Sequence, residues 1–141
     1  MSPNIFIESY NEASGRWAIF EDNGVSAWLY LTEKDIPNPI EDCWIYNRIV
    51  PPSFVKIKEY QPQPPPASAD VTDDRSIYLS PNKKLISFLW SKDGNAVALL
   101  YNNTPLGFIV EGRDRGYSKY LLKISPWGNM FDEKLFEKIF A

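Results

Sequence analysis

A mostly β fold of the α+β class is predicted for this chain: an antiparallel sheet built from hairpins, with one C-terminal helix packed on it. Three observations indicate this fold. Asp22-Asn23-Gly24 separates two apolar runs, and Asp93-Gly94 separates two more. Both are typical hairpin turns, because Asn and Gly adopt positive φ at low cost. Residues 129–141 instead place apolar side chains at helical spacing.

The first half of the chain predicts four apolar strands, each bounded by turn residues or prolines. They cover residues 4–10, 17–21, 25–31 and 42–50. Pro51 and Pro52 end the fourth strand, because proline cannot donate to a ladder. The next stretch, FVKIKEY at 54–60, alternates apolar and charged side chains. That alternation predicts a half-exposed or edge strand.

A change of composition follows at residues 61–76. The sequence QPQPPPASADVTDDRS is rich in proline and contains few apolar side chains. Consecutive prolines favour an extended conformation without ladder hydrogen bonds. Strands continue on both sides, so we interpret the stretch as an exposed, mobile loop inserted within a single domain of residues 1–141.

The second half predicts a three-stranded meander over residues 85–91, 96–102 and 107–112, and then a turn and one more strand within 113–124. Trp90, just before the Asp93-Gly94 turn, is predicted to be a core or cross-strand residue.

A helix near residues 130–140 ends the chain, with Asn129 as its candidate cap. Apolar residues repeat at helical spacing in this stretch, and we expect four of them to pack on the sheet. They are Leu135, Phe136, Ile139 and Phe140.

Composition excludes much catalytic chemistry. The 141 residues include no histidine and one cysteine, Cys43. Without histidine there is no Ser-His-Asp or Cys-His nucleophile. A structural zinc site needs four Cys or His ligands, and no phosphate-binding glycine motif occurs. We therefore predict no cofactor, no metal and no catalytic residue, and a protein that is not an enzyme.

The net charge and the length of the apolar runs limit the kinds of partner that the protein is expected to bind. There are 15 basic against 18 acidic residues, a net charge of −3. Nucleic acid is therefore not expected as a partner, because phosphate binding needs a surplus of Lys and Arg on one face. No apolar run is long enough to span a bilayer, and the start of the sequence lacks the features of a signal peptide. A cytoplasmic location without membrane association is predicted.

The first candidate partner-binding residues are Asp70, Asp73 and Asp74, which follow the prolines, together with Tyr60 at the base of the loop. Proline lowers the entropy lost when a loop is ordered, so this segment can present its acids to a basic partner. The alternative is that these acids are only solvated. Carboxylate-dependent catalysis, with Glu21-Asp22 as a further acidic pair, is a less favoured alternative.

Arg113, Arg115 and Tyr117 form a second candidate group near a turn. Arginine and tyrosine are frequent anchors in protein interfaces. The competing interpretation is an exposed turn whose charges pair locally.

The order of several short motifs resembles a family of short bacterial proteins known only as a domain of unknown function. The matching pieces are IFEDNGVSAWLY near the start, WIYN at 44–47, WSKDGNAVALLYNNTPLGFIV at 90–110 and RGY at 115–117. The Pro-rich stretch and the C-terminal helix depart from the family pattern. The resemblance implies a bacterial origin but brings no activity, so no functional residue is carried over from it.

These features together favour a small cytoplasmic binding protein. Small size, acidity, many aromatic residues and the absence of catalytic motifs are typical of immunity proteins, which neutralise a toxin by stoichiometric binding. A basic toxin domain is the expected partner. A regulatory or self-associating module is the alternative.

Overall fold

The structure is a computed structural model that describes residues 4–141. It confirms a mostly β fold of the α+β class, but the strands divide between two sheets. The first sheet is an antiparallel meander of β1 Ile5–Asn11, β2 Arg16–Asp22, β3 Ser26–Thr32 and β4 Pro39–Asn47. The second contains, in order, β5 Ile86–Trp90, β6 Ala96–Tyr101, β7 Thr104–Val110, β8 Tyr117–Ser118 and β9 Asn129–Met130. Among these named strands, β8 and β9 pair in parallel and the other neighbouring pairs are antiparallel.

The two sheets pack against each other through apolar side chains on their inner faces. The alternation along each strand sends one set of side chains inward, as expected for a sandwich. The buried core shared by the sheets includes Phe20, Leu29, Leu31, Cys43, Ile45, Val97, Leu99, Leu106 and Ile109. Cys43 is fully buried and packs as a small apolar residue, and burial raises the pKa of its thiol to about 12.

A buried polar network closes one end of the first sheet. The Asp22 carboxylate is fully buried and accepts hydrogen bonds from the Tyr46 hydroxyl at 2.6 Å and from Arg48 Nη1 at 3.0 Å. It also accepts from the backbone N–H of Gly24 at 2.9 Å, which fixes the hairpin turn between β2 and β3. The Tyr46 ring stacks on Tyr78 with centroids 4.6 Å apart. Asp22 thereby ties the turn to β4 and to the chain beyond it.

The stretch predicted as a strand at 54–60 is instead a 3-10 helix, Phe54–Tyr60. The prediction was wrong because the apolar residues also repeat every three positions, which is the period of a 3-10 helix. Phe54 packs edge-on against Trp127 and Ile57 packs on the cluster around Trp28, so the helix covers part of the first sheet's outer face.

The Pro-rich segment is also more ordered and more buried than predicted. Ala67 and Ser68 have no exposed surface, and Val71 and Thr72 are almost fully buried. Trp28 Nε1 donates to the carbonyl of Pro65 at 3.2 Å. The Pro-rich segment therefore lies along the first sheet, where the Pro65 carbonyl supplies the acceptor that the buried Trp28 indole N–H needs.

Two details of the second half also differ from prediction. Of residues 113–124, only the two-residue strand β8 is extended, and Asn129 lies in β9 and caps nothing. The N-cap residue of α1, Glu133–Ile139, is Asp132, whose Oδ1 accepts a hydrogen bond from Leu135 N at 3.0 Å.

The Trp90 side chain is half-buried and packs on the core, and its Nε1 donates a hydrogen bond to Ser9 Oγ at 3.0 Å.

The predicted packing of the C-terminal helix on a sheet is confirmed. The Phe108 ring, fully buried in β7, contacts the rings of Phe136 and Phe140 with centroids 5.6 and 5.8 Å apart. The helix is thus the cover of Phe108.

Replacing Asp22 with Asn should destabilise the protein by about 3 kcal/mol, because it leaves the Arg48 guanidinium buried without its carboxylate. Tyr46→Phe removes one hydrogen bond to the buried carboxylate and should cost about 2 kcal/mol. Urea unfolding of both variants measures the two losses. A loss for Asp22→Asn no greater than that for Tyr46→Phe would contradict the central place of this carboxylate.

Deleting residues 132–141 should expose Phe108 and give an aggregating protein with a lowered melting temperature. The control is Lys134→Ala, a change on the exposed side of the same helix. Light scattering and thermal unfolding provide the readouts. A monomeric deletion variant with an unchanged melting temperature would show that the helix is an accessory to the fold.

Candidate partner-binding face

One part of the first sheet's outer face has no cover among the described residues. Along β1 and β2 every second side chain points away from the core, and Phe6 and Tyr10 are 57% and 47% exposed. We call this surface the acidic aromatic face. It consists of Phe6, Glu8, Tyr10, Trp17, Ile19, Glu21, Tyr30 and Asp42.

The strand register places these side chains next to one another. Tyr10 lies opposite Trp17, and their ring centroids are 4.5 Å apart. Further along, Ile19 lies opposite Tyr30, which in turn lies opposite Asp42 on β4. Directly opposed residues in antiparallel strands have Cβ atoms about 5 Å apart, so the face is one continuous surface.

The acidic aromatic face carries carboxylates but no outward Lys or Arg from its own strands. Arg16 is the only Lys or Arg in β1–β4, and it points into the protein. Its Nη1 donates to the carbonyl of Thr32 at 2.8 Å and its Nε to Asn95 Oδ1 at 2.9 Å. No cation of these strands therefore neutralises the outward carboxylates of Glu8, Glu21 and Asp42.

The negative potential acts on the groups of the face itself. Burial and, after it, the charges of Glu21 and Asp42 raise the pKa of the Tyr30 phenol. Burial also raises the pKa of Asp42, whose carboxylate accepts no hydrogen bond from any residue that the structure describes. Asp42 is thus an exposed acid with a raised pKa and no cation beside it among the described residues, an arrangement more typical of binding surfaces than of structural ion pairs.

Two cavities lie where the face meets the Pro-rich segment. One, of about 480 Å³, is lined by Trp28, Tyr30 and Asp42 on the sheet and by residues 61–65 opposite them. The other, of about 510 Å³, contains Glu21, Glu59 and Tyr60 among its lining residues. Tyr60, proposed from the sequence as an anchor, thus lies at the edge of this face, whereas Asp73 and Asp74 line a different hollow.

Those three aspartates have local partners or lie in solvent. Asp70 accepts a hydrogen bond from the Ser68 hydroxyl. Asp73 caps a short 3-10 helix, and hydrogen bonds from Arg75, at 3.1 Å, lower its pKa. Asp74 is exposed, and with Asp73 it lines a shallow hollow. The structure places Asp73 and Asp74 in one hollow, and two of the three acids, Asp70 and Asp73, accept hydrogen bonds that shape the loop.

The Arg-Gly-Tyr motif has structural contacts. Arg115 Nη1 donates to the carbonyl of Ser125 at 2.6 Å, and the Tyr117 ring stacks on Phe108 at 4.7 Å. A side chain at Gly116 would clash, since its Cβ would lie 2.5 Å from Cys43 Cβ. Arg113 is exposed at the preceding turn. The motif therefore fits β8 closely against β4.

Sequence reasoning missed the acidic aromatic face as a site. Its acids are spread over three strands, and only the register collects them. Glu21 and Asp22, considered as a pair from the sequence, point to opposite sides of β2, since Asp22 is fully buried and Glu21 is not. The sequence feature that could have indicated this face is the absence of outward Lys and Arg residues from four consecutive strands.

Comparisons with known protein families, with curated proteins and with solved structures found no match. The family resemblance of the sequence motifs therefore stays a prediction. Among residues 4–141, no helix is long and apolar enough to cross a membrane. The same residues contain no cluster of three or more Cys, Asp or Glu side chains placed to hold a metal ion.

The raised pKa of Asp42 predicts how stability changes with pH. The pKa of an Asp side chain in the unfolded protein is about 3.9, and the pKa of Asp42 in the folded protein is higher. The folded protein therefore loses stability as the pH rises through the interval between these two pKa values. Asp42→Asn should therefore raise the urea midpoint at neutral pH, and the gain should disappear below about pH 3.9. Asp114→Asn, at a carboxylate 93% exposed, is the control. A lowered midpoint for Asp42→Asn at neutral pH would mean that the carboxylate is stabilised by a cation.

Proposed function

We propose that the protein acts by stoichiometric binding, as an immunity protein that neutralises a basic toxin domain in the bacterial cytoplasm. The observation that carries the proposal is the acidic aromatic face, a continuous sheet surface with outward acids and no outward Lys or Arg. The face combines negative charge, which attracts a basic partner, with aromatic rings, which can contact that partner once it is bound.

The physical roles of the two kinds of residue differ. Carboxylates such as Glu8 and Glu21 attract a basic surface from solution, which raises the association rate more than the final affinity. Tyr10 and Trp17 offer ring area for contact with apolar stems and for cation–π interactions with Lys or Arg. The partner therefore carries a basic surface with protruding Lys or Arg side chains.

A second copy of this chain is a poorer occupant of the face. Symmetric pairing through the same surface would bring Glu8, Glu21 and Asp42 of both copies together without a cation. Like charges held together in an interface cost several kcal/mol. Self-association through this face is therefore disfavoured.

Reversing two charges tests the proposal. Glu8→Lys with Glu21→Lys should abolish capture of a basic partner from the native host, because the potential of the face changes sign. The matched control replaces Asp70, Asp73 and Asp74 with Asn, and it should capture the partner normally. Affinity purification with mass spectrometry identifies the partner, and thermal unfolding confirms that both variants are folded.

The immunity role has its own readout. The captured partner, expressed alone, should arrest growth, and co-expression of the wild-type protein should restore it. The Glu8→Lys, Glu21→Lys variant should fail to restore growth. A partner that the face variant retains and the Asp70, Asp73, Asp74 variant loses would move the binding site to the loop.

A further inference from the structure

We propose that the cleft between Tyr30 and the Pro-rich segment binds an arginine side chain, with the Asp42 carboxylate receiving the guanidinium. Which protein carries this arginine rests on the proposed function, whereas the chemistry of the cleft does not. Three observations carry the inference: the walls of the cleft, their anchoring and the unpartnered acid at its side.

The walls have the shapes that a planar cation prefers. The cleft is lined by the Trp28 and Tyr30 side chains and, on the opposite side, by Pro62, Pro64 and Pro65. Aromatic faces attract a guanidinium through the ring quadrupole, and the flat group also stacks on rings. Its volume of about 480 Å³ lies within the range of ligand sites, about 300 to 1,000 Å³, and leaves room for an arginine side chain.

The two walls are joined by hydrogen bonds, so the cleft is present before a ligand arrives. Ser26 Oγ donates to the carbonyl of Pro64 at 2.9 Å. Trp28 Nε1 lies 3.2 Å from both the carbonyl oxygen of Pro65 and Ser26 Oγ. A preformed site spends less binding energy on ordering its own groups.

Asp42 completes the site. It stands directly opposite Tyr30 in the sheet, and its carboxylate accepts no hydrogen bond from the described residues. A guanidinium can donate two parallel hydrogen bonds to a carboxylate, and it is less strongly hydrated than an ammonium group. Arginine is therefore favoured over lysine at this position.

A titration with a defined probe tests the cleft. The probe is Nα-acetyl-arginine methylamide, added to the ¹⁵N-labelled protein and followed by NMR at the Trp28 indole N–H. We expect a saturable shift with a Kd of about 1–10 mM, a typical affinity for a single side chain. The matching citrulline derivative has the same shape without the charge and should give no saturable shift, and the lysine derivative should bind more weakly.

Variants assign the probe to its site. Asp42→Asn should weaken arginine binding at least fivefold, and Asp114→Asn should leave it unchanged. Dispersed amide spectra show that each variant is folded. Absence of a saturable shift, equal binding of citrulline, or equal affinity in Asp42→Asn would each overturn the arginine site.

The outcome separates the two proposals. If the probe does not bind while the Glu8→Lys, Glu21→Lys variant still loses its partner, the cleft inference fails and the binding face stands. If the probe binds but the face variant retains every partner, the arginine site stands and the proposed function fails.

Discussion

The arrangement of the candidate site depends on the hydrogen bonds of one buried side-chain amide, that of Asn47. Its Oδ1 accepts from Trp44 Nε1 at 3.0 Å and from the backbone N–H of Ala67 at 2.9 Å, and its Nδ2 donates to the Ala67 carbonyl at 3.0 Å. The group is fully buried, so each of these bonds replaces one that water would have made. Together with the hydrogen bonds from Ser26 to Pro64 and from Trp28 to Pro65, these bonds hold the Pro-rich segment against the first sheet.

That anchoring divides the outer face of the sheet into two parts. Trp28 and Trp44 are covered and belong to a cluster with Val71, Leu121 and Trp127. The part over β1 and β2 stays open, and the boundary between the parts is the cleft beside Tyr30 and Asp42. The covered part of the outer face therefore contributes to packing, and the open part is the proposed binding surface. The buried Asp22 network lies on the inner side of the same sheet and stabilises the fold, whereas the Asp42 carboxylate on the outer side has no hydrogen-bond partner among the described residues.

Much of the fold follows from local sequence, because hairpin turns and helical spacing are local signals. The turns at Asp22-Asn23-Gly24 and Asp93-Gly94 and the helix at the end of the chain are of this kind. Residues 54–60 fit two periods at once, and only the tertiary contacts of Phe54 and Ile57 select the 3-10 helix. The burial of Ala67 was not predictable from composition, since it depends on Asn47, 20 residues earlier.

The candidate site was harder to predict than the fold for the same reason. Its members are distant along the chain, and strand register brings them together. The loop aspartates stand out in the sequence because they are adjacent, but adjacency there reflects the shaping of a loop, as the pairing of Asp73 with Arg75 illustrates. The acids of the sheet are separated by apolar residues that point inward, so the one-sided charge is evident only when alternate residues are considered together.

Photo-crosslinking from one position tests whether the acidic aromatic face contacts a basic partner. Benzoylphenylalanine replaces Tyr10, 47% exposed on the acidic aromatic face, or Leu79, 72% exposed and outside the residues that define it, in cells of the native host. We expect a single crosslinked product from position 10, joined to a protein with a basic surface, and none from position 79. Crosslinking of that protein from position 79 and not from position 10 would contradict it.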